Sequence, residues 1–104
     1  MNIQAMMKQA QKLQKEMMET KKIIDETVFT GESSFVKVNV YGNKKIKEIM
    51  IEEKDLSSDD IEMLQDLIVA ATNEAFRQME AANSEAMSKL TGGLGGALGG
   101  GFPF

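Results

Sequence analysis

Four lysines in the first part of the chain could bind an anionic surface. They are Lys8, Lys12, Lys15 and Lys22. Spacings of three, four and seven residues place them on one face of a helix, where ammonium groups act as point charges suited to phosphate oxygens. The plainer alternative is a solvated helix face with Lys12–Glu16 and Lys15–Glu19 ion pairs. The residues alone favour that alternative.

The charge of the chain is unevenly distributed. A net charge of -4 argues at first against nucleic acid as a partner. Basic character, however, is confined to the first stretch and to the cluster Lys44, Lys45 and Lys47, whereas residues 57–104 hold two basic side chains against seven acidic ones. An anionic partner is therefore expected at the first stretch.

The helix that carries the lysines also has an apolar seam. Its members recur at alternating spacings of three and four residues: Ile3, Met6, Ala10, Leu13, Met17, Thr20 and Ile24. Such a seam must be covered by another helix. We predict that the first helix ends before Thr27, where β-branched and aromatic residues begin and Gly31 interrupts the pattern.

A β-hairpin is predicted next. Val36, Val38 and Val40 alternate on one face, and Gly42-Asn43 supplies residues tolerant of positive φ for a turn into the strand 45–51. A short strand at 27–30 is expected at the edge, because an isolated hairpin is marginally stable. Phe35 and Tyr41 fall on the other face, which predicts partial cover on both sides.

A second long helix is expected after Ser57, whose spacing to Asp60 is that of a capping box. Its core stripe is Ile61, Leu64, Ile68, Ala71, Ala75, Met79, Ala82, Ala86 and Leu90. The first half can cover the sheet, and the half from Ala75 to Leu90 should project and pack against the first helix, small residues against its methionines.

The residues assigned to arm packing and dimer contacts combine these patterns. They are Ile3, Met6, Leu13, Met17, Val36, Val38, Val40, Ile68, Ala75, Met79 and Ala82. Met7, Met18 and Ile23 widen the first seam beyond what a two-helix contact requires, which predicts a homodimer.

Catalysis finds no support in the residue types. The chain has neither cysteine nor histidine, so the usual nucleophile, general-base and zinc-ligand constellations are missing. We expect no enzyme activity, no metal, no cofactor and no small-molecule substrate. No apolar run is long enough to span a membrane, which predicts a cytoplasmic protein.

The predicted organisation is one α+β domain, residues 1–90, followed by a flexible tail, residues 91–104. The tail holds seven of the nine glycines and ends in Phe102-Pro103-Phe104, a candidate docking tag.

Three stretches carry a resemblance to a known family. They are 6–15 (MMKQAQKLQK), 36–42 (VKVNVYG) and 61–75 (IEMLQDLIVAATNEA), in that order. Together they resemble the YbaB/EbfC family of bacterial nucleoid-associated proteins over nearly the whole chain.

The resemblance implies an α-β-β-β-α protomer, a homodimer through the sheet region and two arms that grip duplex DNA like tweezers. It also implies weak sequence preference, with effects on gene expression or nucleoid organisation. The implied DNA-binding positions, with Lys22 added from the lysine face, are Lys8, Gln9, Lys12, Lys15, Lys22, Arg77, Asn83 and Lys89. The alternative from another class is a helical adaptor whose arms hold a second protein.

Overall fold

The structure, a computed structural model, describes residues 2–97. Its elements in chain order are α1 (Ile3–Glu26), β1 (Val28–Ser33), β2 (Val36–Tyr41), β3 (Ile46–Ile51), a 3₁₀ turn (Ser58–Asp60) and α2 (Ile61–Ala97). This is the predicted α-β-β-β-α order of an α+β protomer, which is confirmed.

Side chains at both ends fix the limits of α1. The Asn2 Oδ1 atom accepts hydrogen bonds from the backbone N–H groups of Gln4, at 3.0 Å, and Ala5, at 3.4 Å, so it caps groups that have no partner inside the helix. At the other end the Thr27 hydroxyl donates to the Ile23 carbonyl at 2.7 Å, and the Thr27 backbone is extended. The predicted end of the helix before Thr27 is confirmed.

The three strands form an antiparallel sheet in the order β1-β2-β3. Val36, Val38 and Val40 are completely buried and form the core with Ala71 and Ala75 of α2. The predicted partial cover is wrong for the valine side of β2, which α2 buries completely. Phe35 and Tyr41 are half-buried.

The opposite face of the sheet carries a polar ladder. The Thr30 hydroxyl donates to Asn39 Oδ1 at 2.6 Å, and Asn39 Nδ2 donates to Glu48 Oε1 at 2.8 Å. One side chain from each strand is therefore tied to its neighbour, which fixes the register across the sheet.

The turn between β2 and β3 differs from its prediction in one detail. The positive φ falls on Lys44, at 73°, and not on Gly42 or Asn43. Tyr41 and Lys45 close the turn through a Tyr41 N–H bond to the Lys45 carbonyl at 2.8 Å. Lys44 thus takes the left-handed position that glycine usually fills in a three-residue hairpin loop.

Lys44→Gly should stabilise the protein. A lysine in the left-handed region is strained by its Cβ, and glycine removes that strain at some cost in chain entropy. We expect the free energy of unfolding to rise by about 0.5–1 kcal/mol, measured by urea denaturation. Lys47→Gly, inside β3, is the matched control and should lower it by about the same amount. Equal losses in both variants would contradict the Lys44 conformation.

A capping box begins the second helical segment, as predicted. The Ser57 N–H donates to Asp60 Oδ2 at 3.0 Å, and the Asp59 N–H donates to the Ser57 hydroxyl oxygen at 3.3 Å. From there α2 runs to Ala97, so the first seven residues of the predicted tail, 91–97, belong to the helix; residues 98–104 lie outside the described residues. At 1.5 Å per residue α2 is about 55 Å long.

The distal half of α2 packs beside α1 and forms an arm. Ile24 and Met79 are buried, and Leu13, Met17 and Thr20 are half-buried. These five residues lie from the middle of the arm to its sheet end.

Three predicted packing positions in the arm need correction. Ile3 and Met6, at the free end of α1, are 71% and 50% exposed in the protomer. Ala75 is buried, but what lies against it is Gly31 of β1: a Cβ on Gly31 would lie 3.0 Å from the Ala75 Cβ. Ala75 is therefore small because β1 approaches α2 there, and not to receive a methionine of α1.

Candidate nucleic-acid interface

The lysine face of α1 points away from the seam that packs on α2. Lys8, Lys12, Lys15 and Lys22 are all exposed, and Gln9 is exposed beside them. Within residues 2–97, the ion pair formed along α1 is Lys21–Asp25, at 2.9 Å. The pairs Lys12–Glu16 and Lys15–Glu19, which belong to the alternative of a solvated helix face, are not formed, so these ammonium groups remain available to an anionic partner.

The two cations of α2 are held by carboxylates of the same helix. Arg77 Nη2 lies 2.7 Å from Glu74 Oε1, and Arg77 Nε donates to Glu74 Oε2 at 2.9 Å. Hydrogen bonds from Arg77, and then from Gln78, hold the pKa of the Glu74 carboxyl at about 2, so the pair stays charged at neutral pH. Lys89 lies 3.4 Å from Glu85. The positive charge of α2 is thus largely neutralised along its own helix.

A groove lies between α1 and α2 at the sheet end of the arm. Its apolar side chains are Met17, Ile24, Met79 and Met87, and it encloses about 620 Å³. We call it the methionine groove. Asn83 and Ser84 lie along it, as do charged groups of both signs, including Lys21 and Glu80. The structure therefore places Asn83, a predicted DNA-binding position, in a space between the helices of the arm.

Gly42 closes the sheet end of this groove by allowing a close approach. A Cβ on Gly42 would lie 1.8 Å from the Ile24 carbonyl oxygen. The β2–β3 turn can meet the end of α1 only because no side chain is present there. Gly42 therefore determines where the arm leaves the sheet.

Apolar side chains on β3 form a second exposed surface. Ile46, Ile49 and Ile51 are 49%, 44% and 41% exposed. Ile49 and Ile51 pair with Val38 and Val36, so they continue the valine face beyond the cover of α2. We call these three residues the β3 patch.

The β3 patch bears on the predicted dimer contacts. Val36, Val38 and Val40 were assigned to packing and dimerisation, but they are completely buried inside the protomer and cannot touch a second copy. The exposed isoleucines of β3 were not among the residues predicted for dimer contacts. The signal was the apolar run Ile49-Met50-Ile51 on what proves to be an edge strand.

The described part of the chain, residues 2–97, contains no helix that is long and apolar enough to cross a membrane.

The protein combines a small sheet, a two-helix arm and a basic face on the outside of that arm. The chain belongs to the YbaB/EbfC DNA-binding family, whose profile matches residues 1–94. The family resemblance seen in the sequence is confirmed.

Curated relatives are named nucleoid-associated proteins. A nucleoid-associated protein of Agathobacter rectalis is 46% identical over 99 residues, covering 93% of this chain and 88% of the relative. One of Ruminiclostridium cellulolyticum is 46% identical over 94% of this chain and 87% of its own length. A nucleoid-associated protein of Enterococcus faecalis is 36% identical, with 91% and 93% covered.

Proposed function

We propose that this protein binds duplex DNA at the bacterial nucleoid, as a homodimer, with low sequence specificity, and thereby influences nucleoid organisation or gene expression. One observation carries the proposal. The four lysines of the α1 face are exposed and form no ion pair with residues 2–97, whereas Arg77 and Lys89 are held by Glu74 and Glu85. The family description and the names of the relatives support DNA as the anion.

Low sequence specificity follows from the types of side chain that could contact DNA. Guanine is read most often by a bidentate arginine, and the sole arginine, Arg77, already binds Glu74 through two nitrogens. Lysines and glutamines on α1 suit phosphate oxygens, which carry no sequence information. Affinity should therefore depend on phosphate contacts and differ little between sequences.

Binding of the unmodified protein to duplex DNA should fall steeply with salt. If a dimer neutralises about four to six phosphates, the logarithm of affinity should change with the logarithm of salt concentration at a slope of about -4 to -5. Between 50 and 200 mM salt this is a loss of about 250- to 1,000-fold in affinity. Fluorescence anisotropy on two duplexes of unrelated sequence measures both the slope and the specificity. A slope near zero, or no binding at low salt, would contradict the proposal.

The homodimer rests on the shape of the protomer and on the β3 patch. The Cα radius of gyration is 19.8 Å, against about 13 Å for a compact domain of 100 residues. One protomer thus leaves a long arm and an apolar sheet edge in contact with water. A second copy packed on the β3 patch would cover that edge.

In solution the mass should be about twice the 11.5 kDa of one chain, measured by light scattering at micromolar concentration. Ile49→Lys should shift the mass towards one chain without unfolding the protomer, because the Ile49 side chain is already 44% exposed. Met63→Lys is the matched control at a similarly exposed position of α2 and should leave the mass unchanged. A monodisperse, fully helical monomer of the unmodified protein would overturn the dimer.

The second candidate function is a helical adaptor that holds another protein. It is favoured by three exposed apolar side chains on α1: Met7, Met18 and Ile23 are 56%, 68% and 67% exposed. Apolar burial is insensitive to moderate salt, whereas phosphate binding is not. The salt dependence described above therefore separates the two functions.

A further inference from the structure

The methionine groove has no role in the proposed DNA contacts. It lies on the seam between the helices, whereas the lysine face is on the other side of α1. Its volume of about 620 Å³ falls within the range of roughly 300–1,000 Å³ that is usual for ligand pockets. We propose that Phe102-Pro103-Phe104 of the same chain occupies this groove and holds α1 against α2.

The chemistry of the groove suits aromatic side chains. Met17, Met79 and Met87 present three thioethers around Ile24. Methionine side chains adapt their shape to what they contact, and their sulfur atoms make favourable contacts with aromatic rings. The groove is therefore suited to a pair of phenylalanine rings.

The segment offers the matching groups. Of the five phenylalanines, Phe29, Phe35 and Phe76 pack against the valine core. The other two flank Pro103, the sole proline, which brings no backbone N–H into an apolar site. Asn83 and Ser84 along the groove can hydrogen-bond to the remaining backbone groups of the segment.

The length of the intervening chain brings the segment to the groove. Met87 lies ten residues before Ala97, or about 15 Å back along α2 at 1.5 Å per residue. Phe102 lies five residues after Ala97, an extended reach of about 17 Å. Phe104 can reach about 24 Å, which passes the level of Asn83. The intervening Gly99-Gly100-Gly101 allows the chain to reverse direction.

Docking would strengthen the packing of α1 on α2. Among the described residues of α1, Ile24 is the buried one, and it lies at the sheet end. Two rings between Met17 and Met87 would add apolar cover midway along the arm and stiffen it. This effect requires no DNA, so it stands or falls apart from the proposed function.

The test observes the methionine methyl groups by NMR in the full chain without DNA. Aromatic rings in the groove should shift the Met17, Met79 and Met87 methyl signals upfield, and the double variant Phe102→Ala/Phe104→Ala should lose those shifts. Signals of Met6, Met7 and Met18, which are exposed outside the groove, serve as internal references and should not move. Leu98→Ala is the matched control in the same segment and should leave all signals in place.

Two further results would decide against the proposal. Unchanged groove methyl signals in the double variant would show that the segment does not dock there. In a second experiment, the labelled double variant is mixed with unlabelled protein of the original sequence. Restored shifts would show that another copy supplies the segment, which overturns docking within one chain; unrestored shifts support docking within one chain.

Hydrogen exchange of the α1 amides should also become several-fold faster in the double variant.

Discussion

Replacement of Gly31 by alanine is expected to lower the free energy of unfolding by about 3 kcal/mol or more. A Cβ at this position would lie 1.9 Å from the Ala71 carbonyl oxygen and 2.4 Å from the Ala75 nitrogen. Both obstacles are backbone atoms of α2, so no side chain can rotate away, and the helix must move off the sheet. That movement would open the packing between the core valines and α2.

The loss should be measured by urea denaturation followed by circular dichroism. Gly92→Ala is the control, because a Cβ there has nothing within 4 Å and alanine favours a helix interior; it should raise the free energy of unfolding by about 0.5–1 kcal/mol. Ala75→Gly should not rescue Gly31→Ala, since the two backbone obstacles remain. A loss below 1 kcal/mol for Gly31→Ala, or full rescue by Ala75→Gly, would contradict this packing.

Local patterns predicted the elements of this fold well. The seam from Leu13 to Ile24 and the valine alternation in β2 depend on which residues repeat within a few positions, and the capping box at Ser57 depends on residues three apart. Each of these patterns involves residues of a single helix or strand. The structure therefore contains them at the predicted positions.

Contacts between distant elements could not be predicted in the same way. Gly31 resembled an interruption of a pattern, yet the approach of α2 from 40 residues away determines why glycine stands there. Gly42 resembled a turn residue, whereas the carbonyl of Ile24 excludes any side chain and Lys44 takes the positive φ. These constraints exist only once the helices are placed on the sheet.

The candidate site likewise has features that local patterns predict and features that they do not. Periodicity alone placed the four lysines on one exposed face. Spacing did not reveal which charges are paired: Lys21–Asp25 and Lys12–Glu16 have the same i,i+4 separation, but only the first is formed in the structure. Exposed ion pairs are worth little against side-chain entropy, so small differences decide which of them form.

Replacing Lys8, Lys12 and Lys15 together by glutamine should reduce affinity for duplex DNA at low salt by about 100-fold or more. These side chains are exposed and, among the described residues, have no carboxylate within ion-pair distance, so each can release counterions when it meets a phosphate. The salt slope should flatten from about -4 to -5 towards zero. All sequences should be weakened alike, because phosphate contacts do not distinguish bases.

The matched control replaces Lys44, Lys45 and Lys47 by glutamine. Both triple variants remove three positive charges from a chain of net charge -4, so long-range repulsion from DNA increases equally in the two. A larger loss in the α1 variant then reports direct contact rather than net charge. Equal losses would show that net charge alone governs binding. If the α1 variant kept both its affinity and its salt slope, the exposed Met7, Met18 and Ile23 would become the binding surface to test, with a protein and not DNA as the partner.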